Sequence, residues 1–247
     1  NPSSVMAAPV SLCHVACCAN SAAGGTVSWG RCGLLAFGSC HDVVLYDPAV
    51  RRAVAALRGH AGRVNCVRWV RRRDPSETEL VSGGSDKQLI LWEWKDMQVK
   101  SIPLKGHTEA VFAVDAVYQS DEPDLNLLIA SAASDSTVRI WSRHGSEAKC
   151  IEILQFGNGF VMDVCLSFLP GSNGLFIQFQ KALILAGHED WIRGVDWAVC
   201  GEDLFLASCA QDCLIRIWKV CVKSKQLPET EDDSIKLKEN VFTVKGR

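Results

Sequence analysis

A repeated pattern of histidine, serine, aspartate and tryptophan constrains the fold of this chain more than any other sequence feature. In three segments a Gly-His pair is followed by a serine, an aspartate four residues later and a tryptophan six residues after that. The repeated residues are His60, Ser82, Asp86 and Trp92; His107, Ser131, Asp135 and Trp141; and His188, Ser208, Asp212 and Trp218. Self-similarity of this kind is typical of a repeat architecture.

The elements within each repeat are predicted to be short strands. Apolar and β-branched runs alternate with turn residues, and no apolar period of 3.6 residues is sustained over helical length. An aspartate in a tight turn can accept hydrogen bonds from turn N–H groups and from a histidine ring. A serine hydroxyl can join that histidine to the indole N–H of a buried tryptophan. We therefore expect a polar relay in each repeat that fixes how the strands pack.

The same residues could also be interpreted as a catalytic triad, because histidine, serine and aspartate can supply a base, a nucleophile and an orienting carboxylate. A catalytic triad is needed once, whereas this set occurs three times with constant spacing. Recurrence favours a structural role. No glycine-rich phosphate loop precedes a helix pattern, because Gly83 and Gly84 lie within a predicted hairpin. The sequence predicts a protein that is not an enzyme and has no cofactor and no metal site.

The repeats resemble the WD40 family, whose units form the blades of a β-propeller. Five units are expected, near residues 21–56, 57–103, 104–149, 150–182 and 183–220, with the fourth incomplete. The first unit is degenerate, with Ala36 in the place of the serine. Residues 1–20 are predicted to be a partly disordered N-terminal segment, and residues 221–247 a charged linker or tail. We expect an open arc of blades rather than a closed ring.

Several longer runs are similar to one branch of that family, the WD-repeat subunits of the Elongator complex. They are Gly33 to Gly38, Val44 to Pro48, Glu79 to Asp86, Phe156 to Phe160 and Gly187 to Gly194. This resemblance implies a shortened form of a longer, two-propeller protein. It also implies a non-catalytic scaffold that contacts the large scaffold subunit and the catalytic subunit, and so supports wobble-uridine modification in tRNA. The implied location is the cytoplasm, with the nucleus as a second compartment.

Composition excludes several other classes of protein. The 247 residues carry 26 Lys and Arg against 28 Asp and Glu, a net charge of −2, so no overall positive field favours nucleic acid or an anionic membrane. The apolar runs are too short to span a bilayer, and no secretory signal is predicted. The 12 cysteines include no CxxC pair, and residues such as Cys66 and Cys165 lie in apolar runs. Reduced structural thiols are therefore predicted.

A partner-binding surface is predicted from position in the WD40 repeat. Residues just after Gly-His and just before the turn aspartate project from one rim of a propeller. They are Arg63, Asn65, Ser85, Ala110, Phe112, Ser134, Trp191, Arg193 and Gln211. An exposed tryptophan beside an arginine is typical of an interface hot spot, so Trp191 is the foremost candidate, with packing between blades as its alternative.

Two other binding roles stay open at this stage. One is a generic WD40 adaptor for kinases or transcription factors. The other is a weak tRNA-binding platform, suggested by Arg68 and the basic run 71–73. Acidic residues follow that run at once and no aromatic residues interrupt it, so an exposed solvated loop is the favoured interpretation.

Overall fold

The computed structural model describes residues 19–20, 25–72, 77–95, 98–118, 126–145, 147–157, 159–167, 185–201, 203–222 and 237–242. All regular structure in these ranges is β-strand, arranged as four antiparallel sheets of four strands. The predicted all-β fold is confirmed. The N-terminal segment predicted at 1–20 lies outside the described residues except for residues 19 and 20.

Each sheet is built from four strands that are consecutive in the chain, joined as hairpins. The first sheet contains β1 (Val27–Trp29), β2 (Leu35–Ser39), β3 (Asp42–Asp47) and β4 (Arg52–Arg58). The second contains β5 (Val64–Trp69), β6 (Glu79–Gly84), β7 (Gln88–Lys95) and β8 (Gln98–Lys105). The third contains β9 (Val111–Tyr118), β10 (Leu127–Ala133), β11 (Thr137–His144) and β12 (Glu147–Gln155). The fourth contains β13 (Ile192–Cys200), β14 (Asp203–Ala210), β15 (Ile215–Val222) and β16 (Leu237–Phe242).

Two cores lie between the first and second sheets and between the second and third sheets. Side chains alternate across each strand, so the second sheet contacts the first with one face and the third with the other. Val43 and Leu45 of β3 pack against Val67 and Trp69 of β5, and all four are buried. The second and third sheets are joined by a similar apolar cluster. The β5, β6 and β9 strands are buried along almost their whole length, as expected for strands covered on both faces.

The fourth predicted unit, 150–182, forms no sheet in the part of the chain that the structure describes. Its first residues belong to β12, which completes the third sheet. Residues 159–167 follow without a strand ladder, yet Val161, Val164 and Leu166 pack on the apolar face of the third sheet. Residues 168–184 lie outside the described residues.

The segment predicted as a tail, 221–247, differs from that expectation. Residues 221 and 222 end β15, and β16 pairs antiparallel with β15. This pairing satisfies backbone N–H and C=O groups that β15 would otherwise present as an open edge. The prediction of a linker throughout this segment is therefore wrong for β16, while residues 223–236 and 243–247 lie outside the described residues.

The first sheet has a register one residue different from the one predicted. Phe37, and not Ala36, aligns with Ser82, and Tyr46 aligns with Trp92. The physical reason is the turn between β2 and β3, which has one residue fewer than the turn between β6 and β7. A slip of one residue moves every side chain to the opposite face of a strand.

The four sheets form an open arc and do not close into a ring, as predicted. Among the described residues, no helix is long and apolar enough to cross a membrane.

Candidate functional site

The first tetrad is a continuous chain of hydrogen bonds. The His60 Nδ1 atom lies 3.0 Å from the Asp86 carboxylate, and the His60 Nε2 atom lies 2.8 Å from the Ser82 hydroxyl. The Trp92 indole N–H donates to the same hydroxyl at 2.8 Å. The Ser82 side chain is fully buried, so its hydroxyl has no path to a substrate in solvent.

The other two tetrads repeat this geometry. His107 lies 2.9 Å from Asp135 and 2.8 Å from Ser131. His188 lies 2.8 Å from both Asp212 and Ser208. In each case the indole N–H donates to the serine, from Trp141 at 2.9 Å and from Trp218 at 3.0 Å.

Each aspartate also holds two backbone N–H groups. The Asp86 carboxylate accepts hydrogen bonds from Ala61 N–H at 2.9 Å and from Gln88 N–H at 3.3 Å. The bond to Gln88 closes the turn between β6 and β7, whereas the bond to Ala61 fixes the loop that follows β4. One carboxylate therefore ties a turn of the second sheet to the connection from the first sheet.

The protonation states follow from these contacts. Burial lowers the pKa of His60 and of His107, and the hydrogen bonds to their aspartates offset this only in part. Burial raises the pKa of Asp86, but the hydrogen bonds from His60 and the backbone N–H groups outweigh it and the net pKa is lowered. A neutral ring that donates from Nδ1 to an ionised aspartate can accept the serine O–H at Nε2. All the polar groups of the relay are then satisfied.

The glycine before each histidine is required by packing. A Cβ atom at Gly59 would lie 2.9 Å from the ring of Trp92 and 3.1 Å from Ile90. At Gly106 it would lie 2.9 Å from the ring of Trp141. The loop thus passes directly over the indole ring, and a larger residue there would force the ring or the loop to shift.

The predicted rim residues are brought together by one repeated backbone bond. The residue before each aspartate donates its N–H to the carbonyl of the third residue after the histidine. The pairs are Ser85 with Arg63 at 2.8 Å, Ser134 with Ala110 at 2.9 Å, and Gln211 with Trp191 at 3.0 Å. The loops after Gly-His and the turns before aspartate therefore lie side by side on one rim.

The rim of the fourth sheet carries an exposed aromatic cluster. Trp191 is 54% exposed, its ring centroid lies 6.2 Å from that of Phe160, and the Arg193 guanidinium lies 5.8 Å from the Trp191 ring. Gln211 can accept hydrogen bonds from Arg193 when its amide oxygen faces the guanidinium. Phe160 was not among the predicted site residues, because the residues before it gave no Gly-His signal.

The predicted rim residues differ in how accessible they are, and one of them points inward. Asn65 is buried, and its amide donates to the Val111 carbonyl at 3.0 Å while accepting from the Ser85 hydroxyl at 3.2 Å. It joins β5 to β9 and is not available to a partner. Phe112 is only half exposed. Arg63 and Ser85 are exposed, and Ser134 is half-buried.

The basic run does not form a solvated loop in the described residues. Arg71 donates to the Asp115 carboxylate and to the Leu166 carbonyl. The Arg72 guanidinium stacks 4.2 Å from the ring centroid of Tyr118. Both side chains thus contact a neighbouring sheet, and the Arg71 side chain remains 40% exposed; Arg73 lies outside the described residues.

Sequence comparison gives the same class of protein as this geometry. Residues 51–93, 98–142 and 179–219 match the WD domain, G-beta repeat family. These ranges cover more than half of the chain, so it belongs to the WD40 repeat family.

Within that family the chain is similar to proteins named Elongator complex protein 2. It is 55% identical to the protein of that name from Rattus norvegicus, over 94% of this chain and 31% of the rat protein. It is 52% identical to the Homo sapiens protein over 98% of this chain and 32% of that protein. The Saccharomyces cerevisiae protein is 26% identical over 83% of this chain. The chain spans about a third of the length of these relatives.

Proposed function

We propose that this chain is a non-catalytic, protein-binding WD40 subunit of an Elongator-type complex. In that role it contacts the large scaffold subunit and the catalytic subunit and supports wobble-uridine modification in tRNA, in the cytoplasm and the nucleus. The observation that carries the proposal is the likeness to Elongator complex protein 2 over nearly the whole chain. The name of these relatives supports membership of an Elongator complex. The exposed aromatic cluster on the rim supports binding to a protein partner.

The tetrads support a role without turnover. Each serine hydroxyl accepts from a tryptophan and lies against a histidine that is itself held by an aspartate. A nucleophile needs an approach path, and the Ser82 and Ser131 side chains are fully buried. The recurring residues are therefore occupied in holding the loops between sheets.

The aromatic cluster at the fourth sheet supports protein binding. Tryptophan and arginine dominate hot spots because they bury a large apolar area and still offer hydrogen-bond donors. Trp191 and Arg193 stand next to each other on the rim, and Phe160 extends their apolar surface. A partner that covers the 54% exposed Trp191 side chain would gain this area.

The test is co-purification of the tagged chain with the other Elongator subunits from cells. We expect the wild-type chain to retain them and Trp191→Ala to lose them, because truncating a hot-spot residue costs about 2 kcal/mol or more, roughly 30-fold in affinity. Val50→Ala is the control, since Val50 is a 54% exposed apolar residue in the turn between β3 and β4 and belongs to neither proposed surface.

Four results would contradict the proposal in different ways. If Trp191→Ala co-purifies with the other subunits as well as the wild-type chain does, the chain binds the complex but the rim cluster is not the contact. Loss of solubility in Trp191→Ala favours packing between blades as the role of that side chain. Recovery of kinases or transcription factors without any Elongator subunit favours the generic adaptor, and salt-sensitive binding of purified chain to tRNA favours the RNA platform.

A further inference from the structure

The fourth sheet has an apolar face that the other three sheets bury. We call the face of a sheet that points toward the later part of the chain its following face. In each sheet the third strand carries two apolar residues on this face. The pairs are Val43 and Leu45 in β3, Leu89 and Leu91 in β7, Val138 and Ile140 in β11, and Ile215 and Ile217 in β15. The first three pairs are at most 6% exposed, whereas Ile215 is 52% exposed and Ile217 is 37% exposed.

The cover on the first three following faces is always the next part of the chain. Val43 and Leu45 pack against the second sheet, and Leu89 and Leu91 pack against the third sheet. Val138 and Ile140 pack against Val161, Val164 and Leu166. On the fourth sheet the cross-strand neighbours of Ile217 and Ile215 are Ala207 and Cys209, and both of these are also exposed.

At the other end of the arc, the first sheet has the complementary exposed face. Trp29 of β1 pairs with Leu35 as Trp69 of β5 pairs with Leu80, so Trp29 and Trp69 hold equivalent positions. Trp69 is 3% exposed because it packs on the following face of the first sheet. Trp29 is 67% exposed and its neighbour Val27 is 50% exposed. We call the surface formed by Val27 and Trp29 the preceding face of the first sheet.

We propose that the following face of the fourth sheet binds the preceding face of the first sheet of a second copy of this chain. The contact repeats the one between the first and second sheets, with Ile215 and Ile217 in the places of Val43 and Leu45. Val27 and Trp29 take the places of Val67 and Trp69 in the same contact. This places apolar surface against apolar surface with a strand register that the molecule already uses.

The association is head-to-tail because the two surfaces differ. Such a contact closes into a ring of copies if the rotation between them allows it, and otherwise adds copies in series. Each copy retains one free face of each kind until closure. The proposal does not depend on the Elongator assignment, because it uses no residue of the rim cluster.

The experiment is sedimentation velocity of the purified full chain from low to high micromolar concentration. The wild-type chain is expected to increase in mass with concentration. Ile217→Lys and Trp29→Lys are each expected to weaken association at least about tenfold, because a lysine would be buried without a partner charge. Both sites are exposed in the single chain, so far-UV circular dichroism should show an unchanged fold.

A mixture of the two variants distinguishes this contact from every other. The Trp29→Lys copy keeps an intact following face and the Ile217→Lys copy keeps an intact preceding face, so an equimolar mixture should form a two-chain species and nothing larger. Ile153→Lys is the matched control, because Ile153 is 44% exposed on β12, away from both faces. A wild-type monomer at every concentration, a mixture that stays monomeric, or equal loss in Ile153→Lys would overturn the proposal.

Discussion

Replacing Ser82 with alanine tests whether the tetrad is a coupled unit that stabilises the fold. The change removes one oxygen atom, yet it leaves two buried groups without partners, namely the Trp92 indole N–H and the His60 Nε2 atom. A buried polar group that loses its partner costs about 1–3 kcal/mol, so we expect a loss of about 2–6 kcal/mol. Native domains are stable by only about 5–15 kcal/mol in total.

The measurement is urea unfolding followed by far-UV circular dichroism, with comparison of transition midpoints at constant slope. Ser142→Ala is the matched control, because Ser142 is also buried but its hydroxyl makes one side-chain hydrogen bond within the described part of the chain, to Asn126 at 3.0 Å. Its loss should cost about 0.5–1.5 kcal/mol. If Ser82→Ala costs no more than Ser142→Ala, the relay contributes nothing beyond a single bond and the reasoning fails.

A double-mutant cycle separates the relay from the volume of its members. Trp92→Phe removes the donor to Ser82 and part of a buried ring, and so has its own packing cost. In the double variant no indole N–H is left unsatisfied, so the combined loss should be smaller than the sum of the two single losses. Strictly additive losses would show that the Ser82 hydroxyl and the Trp92 indole act independently.

Three further predictions follow from burial and packing. The lowered pKa values of His60 and His107 mean that protonation favours the unfolded chain. The neutral rings therefore make their full contribution to the free energy of unfolding above the ordinary pKa of 6.5, and this contribution is lost as the pH falls below 6.5. The free energy should fall by up to about 1.4 kcal/mol per pH unit for each ring, and urea unfolding at several pH values measures this slope. Gly59→Ala should cost about 1–3 kcal/mol in thermal unfolding, because its methyl group meets the Trp92 ring. Burial raises the pKa of the Cys66 thiol to about 12, so mass spectrometry should find it alkylated only after unfolding, later than the exposed thiols.

Much of the architecture could be predicted from the sequence because the tetrad residues interact locally within one repeat. Ser82, Asp86 and Trp92 lie on one hairpin, and His60 follows a short connection, so their spacing alone predicts that they meet. The register of the first sheet could not be predicted in this way. Its turn is one residue shorter and no serine anchors the alignment, so the spacing predicts Ala36 at the position that Phe37 occupies.

The sequence also could not predict contacts that depend on neighbouring sheets. Asn65 has the position of a rim residue but is covered because β9 passes beside it, a fact that no spacing within its own repeat contains. Arg71 and Arg72 have the composition of an exposed basic loop, yet their partners come from β9 and from residues near Leu166. β16 is separated from β15 by residues 223–236, too far along the chain for a hairpin signal.

The first sheet shows why the tetrads belong to the connections and not to the sheets themselves. Phe37 and Tyr46 replace the serine and the tryptophan there, and both are buried, so a sheet can pack without a polar relay. Every histidine of a tetrad lies on the chain that enters a sheet: His60 enters the second, His107 the third and His188 the fourth. Apolar faces therefore supply the cohesion between sheets, and each tetrad fixes the path of one entering loop over an indole ring. A residue set with that task is needed at every connection, which accounts for its recurrence without any requirement for catalysis.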